Sequence, residues 1–293
     1  MRDLDKAKIY FTKEITPESI VKMYEAVGVE LPGKVAVKLH SGEAGNQNYI
    51  RPEFVKAIID RVKGSVVECN TAYEGERDTT VKHMKLMAKH GWSRYFDVDI
   101  MDAEGPDKEL AVENGLQLKT NYVGKNIDNY DSLLVLSHFK GHPMGGFGGA
   151  LKQLSIGCAS SYGKKIIHGA GSAENYFATE QNRFLEAMAD SALTVHKLFE
   201  GKIVYINVMC NLSVDCDCCA VAEDPCMKDI GILAGTDPIA VDQACIDLIY
   251  RSSDRGRDHF VERVESRNGL HTLEAAAKHG FGTREYELIS LDN

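Results

Sequence analysis

Five cysteines, Cys210, Cys216, Cys218, Cys219 and Cys226, crowd into one short stretch of a 293-residue chain that has eight in all. Thiolates this close suit zinc or an iron–sulfur cluster, because soft sulfur ligands match these metals. The spacing Cys210-x5-Cys216-x-Cys218-Cys219-x6-Cys226 is neither the paired C-x2-C of zinc ribbons nor the C-x2-C-x2-C of ferredoxins. In an extended segment, Cys-Asp-Cys sets the Cys216 and Cys218 sulfurs on one side and turns Cys219 away. Further ligands then come from Cys210, Cys226 or a distant residue, with Cys158 the best distant candidate and His142 the next. A cluster of reduced thiols without metal is the plainer alternative. A dithiol redox pair, Cys218-Cys219 or Cys216-Cys218, ranks last, since adjacent cysteines form strained disulfides. Cys69 and Cys245 sit in strand and helix patterns and read as core thiols.

A second group of chemistry-bearing residues lies in the glycine-rich stretch from Ser137 to Lys152. Lys140, His142 and Lys152 supply positive or switchable charge there, and Gly146, Gly148 and Gly149 let backbone amides approach an anion. Two sharper motifs fail on spacing. Gly146-Phe147-Gly148 begins a dinucleotide fingerprint, but Leu151 stands at the third glycine, and in the P-loop-like Gly157–Lys165 the final Ser or Thr is Lys165. The alternative is a flexible turn with solvated lysines. His142 or His40 would serve as a proton donor or acceptor near neutral pH. Tyr73 and Arg77, on another loop, can recognise a carboxylate. Asp237 reads as a helix cap and Asp242 as part of a polar face.

The elements that must position these loops alternate between strand and helix patterns. Lys34–His40, Ser65–Cys69, Ser132–Ser137, Ile203–Val208 and Ile230–Ala234 read as strands, and Tyr286–Leu291 as an edge strand. Helices are expected over Pro52–Lys63, Asp78–His90 (Val81, Met84 and Met87 or Ala88 inward), Gly149–Ile156, Thr179–Leu198, Asp237–Tyr250, Arg257–Ser266 and Thr272–His279. This order predicts an α/β fold, a mostly parallel sheet flanked by helices on both faces, with ligands beyond the carboxyl ends of strands. A second lobe would break from the first within Asp97–Asp131, but no composition shift marks it; residues 1–293 read as a single unit.

Composition narrows the function classes. Hydrophobic residues make up 44% and charged residues 26%, which excludes long disorder and collagen-like or coiled-coil chains. The 34 Lys plus Arg against 43 Asp plus Glu, a net charge of -9, argue against a nucleic-acid partner. The N-terminal MRDLDKAKIYF mixes charges without a signal-peptide core, and no apolar stretch reaches the ~20 residues of a membrane span. A cytoplasmic location follows, where clustered cysteines stay reduced.

Together the loops resemble the family catalogued as domain of unknown function 362, over nearly the whole length. The likeness is carried by VAVKLHSGEAGNQNYIRPEFV, NTAYEGERDTTVKHMKLMAKHGW, SHFKGHPMGGFGGALKQLSIGCASSYGK, and NVMCNLSVDCDC followed by DIGILAGTDPIAVDQA. It runs through His40, Glu43, Arg51, Tyr73, Arg77, Lys140, His142, Lys152, Cys158, Cys216, Cys218, Asp237 and Asp242, and it implies an iron–sulfur association. Two features depart from that pattern. GAGSAENYFATEQ follows Lys165–His168 where many relatives carry a cysteine-rich ferredoxin insert, and Cys219 and Cys226 are additional. The missing insert weighs against electron transfer through ferredoxin clusters and leaves Cys158, Cys216 and Cys218 in place.

The resulting expectation is a redox-linked protein holding an iron–sulfur cluster, or zinc, on Cys158, Cys216, Cys218, Cys219 and Cys226. His142, Lys140 and His40 would be catalytic. Lys152, Arg77, Tyr73, Gly146, Gly148 and Gly149 would bind a small anionic molecule, with a redox protein as partner. The alternative is a non-catalytic ligand-binding protein around a closed structural zinc.

Overall fold

A strand covered on both faces needs apolar or small residues at every position, and SLLVLSH and IVYINVM supply them. Both segments, Ser132–His138 and Ile203–Met209, are buried throughout and lie side by side in parallel at the middle of the sheet. The computed structural model describes residues 6–292, so Met1–Asp5, where the segment read as lacking a signal core begins, lie outside it. In chain order the strands are β1 (Ala7–Thr12), β2 (Val35–Lys38), β3 (Gly64–Glu68), β4 (Val98–Ile100), β5 (Lys108–Ala111), β6 (Thr120–Val123), β7 (Ser132–His138), β8 (Lys140–His142), β9 (Gly146–Gly148), β10 (Ile203–Met209), β11 (Gly231–Gly235) and β12 (Tyr286–Ser290). The helices are α1 (Pro17–Val27), α2 (Pro52–Val62), α3 (Thr80–Lys89), α4 (Trp92–Tyr95), α5 (Ala150–Lys152), α6 (Ser161–His168), α7 (Gln181–Leu198), α8 (Pro238–Arg251), α9 (Arg257–Ser266) and α10 (His271–Lys278).

Eight strands form one sheet in the order β12-β1-β11-β10-β7-β2-β3-β4. Only β11 runs against its neighbours, so the sheet is mostly parallel, as the alternation predicts. One face is covered by α1 and α2 through Ile20, Met23, Val55, Ile58 and Ile59. Ala189, Ala192, Ile239 and Ala244, from α7 and α8, cover the other. At the start of α8 Asp237 accepts from the Ile239 and Ala240 amides with Pro238 next to it, which is the cap read from the sequence. No helix among the described residues is long and apolar enough to cross a membrane.

Three local expectations change. The helix α3 buries His83, Leu86 and Met87, while Val81 is 66% exposed. His83 turns inward towards Asn70, at 3.4 Å, and that rotates the apolar face away from Val81. The glycine-rich stretch is a hairpin, β8 paired with β9, and the helix after it passes at once into a π turn over Gln153–Gly157. The segment between Asp97 and Asp131 contributes β4 to the main sheet and pairs β5 with β6 as a small sheet of its own.

From β2 the chain proceeds to β3 and β4 on one side, whereas β7 and β10 lie on the other. The carboxyl ends of β2 and β7 therefore flank the crevice where open α/β sheets place their ligands.

Candidate functional site

Charged residues at the strand ends are tied into a buried lattice. Lys38, the last residue of β2, donates to Glu68 Oε2 at 2.8 Å and to the Leu39 carbonyl at 2.5 Å. The other Glu68 oxygen accepts from the Ser41 amide at 2.8 Å and hydroxyl at 3.0 Å. Burial alone would raise the Glu68 carboxyl, but Lys38, His40, His83 and Arg77 hold it well below the usual carboxylate range. Arg77 pairs with Glu43 at 3.1 Å and donates to the Tyr73 hydroxyl at 3.0 Å. Beyond β7, Asp217 takes Lys140 at 3.0 Å and His138 at 2.9 Å.

The cysteine loop is held over this lattice by Asn46, whose amide donates to the carbonyls of Cys216 and Cys219. Cys216–Cys219 is a turn closed by the Cys219 amide on the Cys216 carbonyl at 2.9 Å, not the extended segment assumed from Cys-Asp-Cys. The turn brings the sulfurs together and sends Asp217 to His138. Cys216 Sγ accepts from the Cys218 amide at 3.4 Å and from Lys152 Nζ at 3.6 Å. Burial pushes the Cys216 thiol up, but the hydrogen bond with Cys218 and the charges of Lys152 and Lys140 outweigh it and favour the thiolate. Cys218 is pushed the opposite way, by its bonds to Cys216 and Cys219 and by burial, and stays a thiol.

His142, Cys216 and Cys218 form a group whose ligand atoms all lie within 4.8 Å of one another, so these residues could hold a metal ion. His142 Nδ1 accepts from the Gly145 amide at 2.8 Å and the Met144 amide at 3.2 Å. A neutral ring so bonded carries its proton on Nε2, the atom facing Cys218 Sγ at 3.9 Å. Burial, followed by Lys152, lowers His142 to about 4, so the ring is neutral at pH 7. As arranged, the two sulfurs could take a metal, with the Cys218 thiol giving up its proton. His142 would join them only on giving up the two amides, since a metal-bound imidazole keeps its proton on the opposite nitrogen.

His142 and Cys218 also line a cavity of about 210 Å³, together with His40, Tyr73, Arg77 and Lys152. Lys38, Glu68, Gln153, Lys164 and His168 line it as well. The other residues singled out in the sequence lie elsewhere. Cys158 is buried, donates to the Gln153 carbonyl and is outside the three-residue group, its thiol raised by burial to about 11. Cys219 is beside Cys218 but also outside that group, and Cys226 donates to the Leu212 carbonyl at 3.3 Å. Cys210 is a buried thiol that burial raises to about 12. Lys140 is committed to Asp217.

Gly146, Gly148 and Gly149 serve close packing. A Cβ on Gly146, at φ +79°, would stand 2.9 Å from Gly269 Cα, one on Gly148 3.1 Å from Lys152 Cδ, and one on Gly149 would run into Asp242. The amides that open α5 are taken by Asp242, which accepts from Ala150 at 2.7 Å and Leu151 at 3.0 Å. Asp242 is thus a buried cap rather than part of a polar face.

Lys38, Glu68, Gln153, Lys164 and His168 went unmarked in the sequence. A lysine closing VAVK and a glutamate closing GSVVE were the available signals, because charge inside an apolar strand buried on both faces must find a partner.

Comparison with known proteins places the chain. The family described as "Domain of unknown function (DUF362)" matches residues 35–247. No curated protein matches the sequence. The structure resembles the lactate racemase apoprotein from Thermoanaerobacterium thermosaccharolyticum at a TM-score of 0.50 and 13% identity, over 83% of this chain and 57% of that one. A protein from Thermotoga maritima aligns at a TM-score of 0.46 and 12% identity, over 91% of this chain and 59% of that one. The chain therefore spans little more than half of these structures, and the first likeness is one of α/β fold alone.

Proposed function

The chain belongs to the family described as domain of unknown function (DUF362), a description that names no reaction, and from the cavity we propose a metal-dependent enzyme acting on small carboxylates. The observation that carries this reading is the convergence of His142, Cys216 and Cys218 beside a cavity that His142 and Cys218 line with Lys152, Lys164 and Arg77. Two sulfur donors suit a soft ion, zinc or iron. A single ion is favoured over a cubane cluster, which takes four cysteines, because two sulfurs and one imidazole make up the group. A closed structural zinc needs four protein donors, so the same geometry favours an open site. A redox partner protein enters this reading only if the ion is iron.

An ion held there supplies a Lewis acid for an oxygen of the ligand. The chain's own residues do the rest. Lys152 balances the Cys216 thiolate, Lys164 and Arg77 set the cavity's preference for anions, and His142 completes the donor set once its Nδ1 gives up the Met144 and Gly145 amides. Lactate, the acid named for the structural neighbour, is the first substrate to try.

Metal analysis of protein purified without oxygen tests the reading. About one zinc or iron per chain is expected, with no labile sulfide. The metal should be lost in Cys216→Ser and Cys218→Ser and kept in Cys226→Ser and Cys245→Ser. A metal-free protein whose thiols all titrate in the folded state would overturn it.

A further inference from the structure

Gln153 opens the π turn after α5, is 6% exposed, and lines the cavity. Its Nε2 has no hydrogen-bond partner among the described residues. A buried donor left unpaired costs about 1–3 kcal/mol, which a native fold tolerates where a ligand completes the bond. Irregular π turns inside helices concentrate at functional sites. Gly157, at the far end of this turn, makes room for the amide: a Cβ there would stand 2.7 Å from Gln153 Oε1 and 2.8 Å from Lys38 Cε.

The other groups around the cavity lean the same way. Lys164 is 7% exposed, gives one bond to the Ala159 carbonyl at 2.5 Å, and forms no ion pair among the described residues. The Glu68 oxygens are already taken by Lys38 and Ser41. His40 Nδ1 accepts from the Gly42 amide at 3.0 Å, so its neutral ring, like that of His142, keeps the proton on Nε2. His168 differs: its Nδ1 faces the Lys164 carbonyl at 2.7 Å, which leaves Nε2 as an acceptor. At about 210 Å³ the cavity is smaller than the ~300 Å³ at which drug-sized sites begin.

We propose that Gln153 is the recognition residue for the ligand's carboxylate, its amide turning so that the closed-off Nε2 donates to one carboxylate oxygen while the Lys164 ammonium supplies the opposing charge. This rests on the small-carboxylate half of the proposed function and is independent of the metal. It makes Gln153 specificity-determining, because the uncharged amide donates where a glutamate of the same size would repel.

Thermal unfolding of the full chain against sodium propionate, with sodium chloride and methylammonium chloride at matched ionic strength as controls, reads the binding directly. The wild type should show a saturable upward shift with propionate alone. Gln153→Glu should weaken the apparent affinity by about tenfold or more, and the uncharged, similarly sized Gln153→Met by several-fold. Lys164→Met should weaken it likewise. Metal analysis of the same Gln153 and Lys164 variants should show the wild-type content, so a lost propionate shift is told apart from a failure of the metal reading. Wild-type propionate binding in both Gln153 variants, or an equal shift with chloride, would overturn the inference even if the protein carries its metal.

Discussion

Glu68 shows what a single buried charge does here. It ends an apolar strand, is almost wholly buried, and gathers Lys38, the Ser41 amide and the Ser41 hydroxyl on its two oxygens. Lys38 is equally buried, so removing the carboxylate leaves an ammonium with only the Leu39 carbonyl. Breaking such a pair from one side costs about 3–5 kcal/mol. Glu68→Ala is therefore expected to lower the stability in urea by about that amount, and a change under 1 kcal/mol would show that the pair is dispensable. The residues with the most recognisable chemistry, His142, Cys216 and Cys218, were legible because thiols and imidazoles in loops after strands have few structural uses. Lys38, Glu68 and Lys164 were not, since a lone charge in a strand or helix pattern reads as a solvent-facing position. Gln153 was invisible for another reason: its importance lies in an unpaired amide, which only coordinates reveal.

At the scale of elements, Asp242 connects α8 to the segment that carries Lys152 and Gln153. From the middle of α8 it accepts from the Ala150 and Leu151 amides and from Asn207 Nδ2 on β10, at 2.7 to 3.0 Å. Burial is the larger influence and raises its carboxyl to about 6. Asp242→Ala leaves three buried donors without that acceptor, at about 1–3 kcal/mol each. The expected result is a loss of several kcal/mol in urea unfolding, with faster amide exchange at Ala150 and Leu151 (if exchange there is unchanged, Asp242 does not hold α5). Sequence periodicity located α8 and its Asp237 cap well, because Asp-Pro before an apolar run is a local signal. It did not separate Asp242 from a polar face, as both occupy a helical position and differ only in what packs against them. The direction of β11 and the β8–β9 hairpin escaped for a similar reason: hydrophobic pattern marks a strand but not its partner.

Across the whole molecule, the buried histidines make stability depend on pH. Burial lowers His83 to about 3 and His168 to about 4 from an ordinary 6.5, and it drives His40 well below that value, with Arg77 adding to the effect. For a base whose folded value is depressed, the stabilising contribution is complete above pH 6.5. It is lost as pH falls towards the folded value, because the unfolded chain takes the proton first. Glu68 and Asp217, both depressed carboxyls, add losses in the same direction at still lower pH. Asp242 opposes them, since a carboxyl raised to about 6 is more comfortable when protonated, but it is one group against several. At pH 5, about 1.5 units below the unfolded histidine value, His83 and His168 each forfeit roughly 2 kcal/mol at 1.36 kcal/mol per unit. Against a total of about 5–15 kcal/mol for a typical fold, that loss is large. The urea midpoint should therefore fall markedly between pH 7 and pH 5, with proton uptake on unfolding. His83→Asn should flatten the dependence by removing one of the titrating rings, even if it lowers the midpoint at pH 7. A midpoint that stays level or rises on acidification would mean that these rings are open to protons in the folded state.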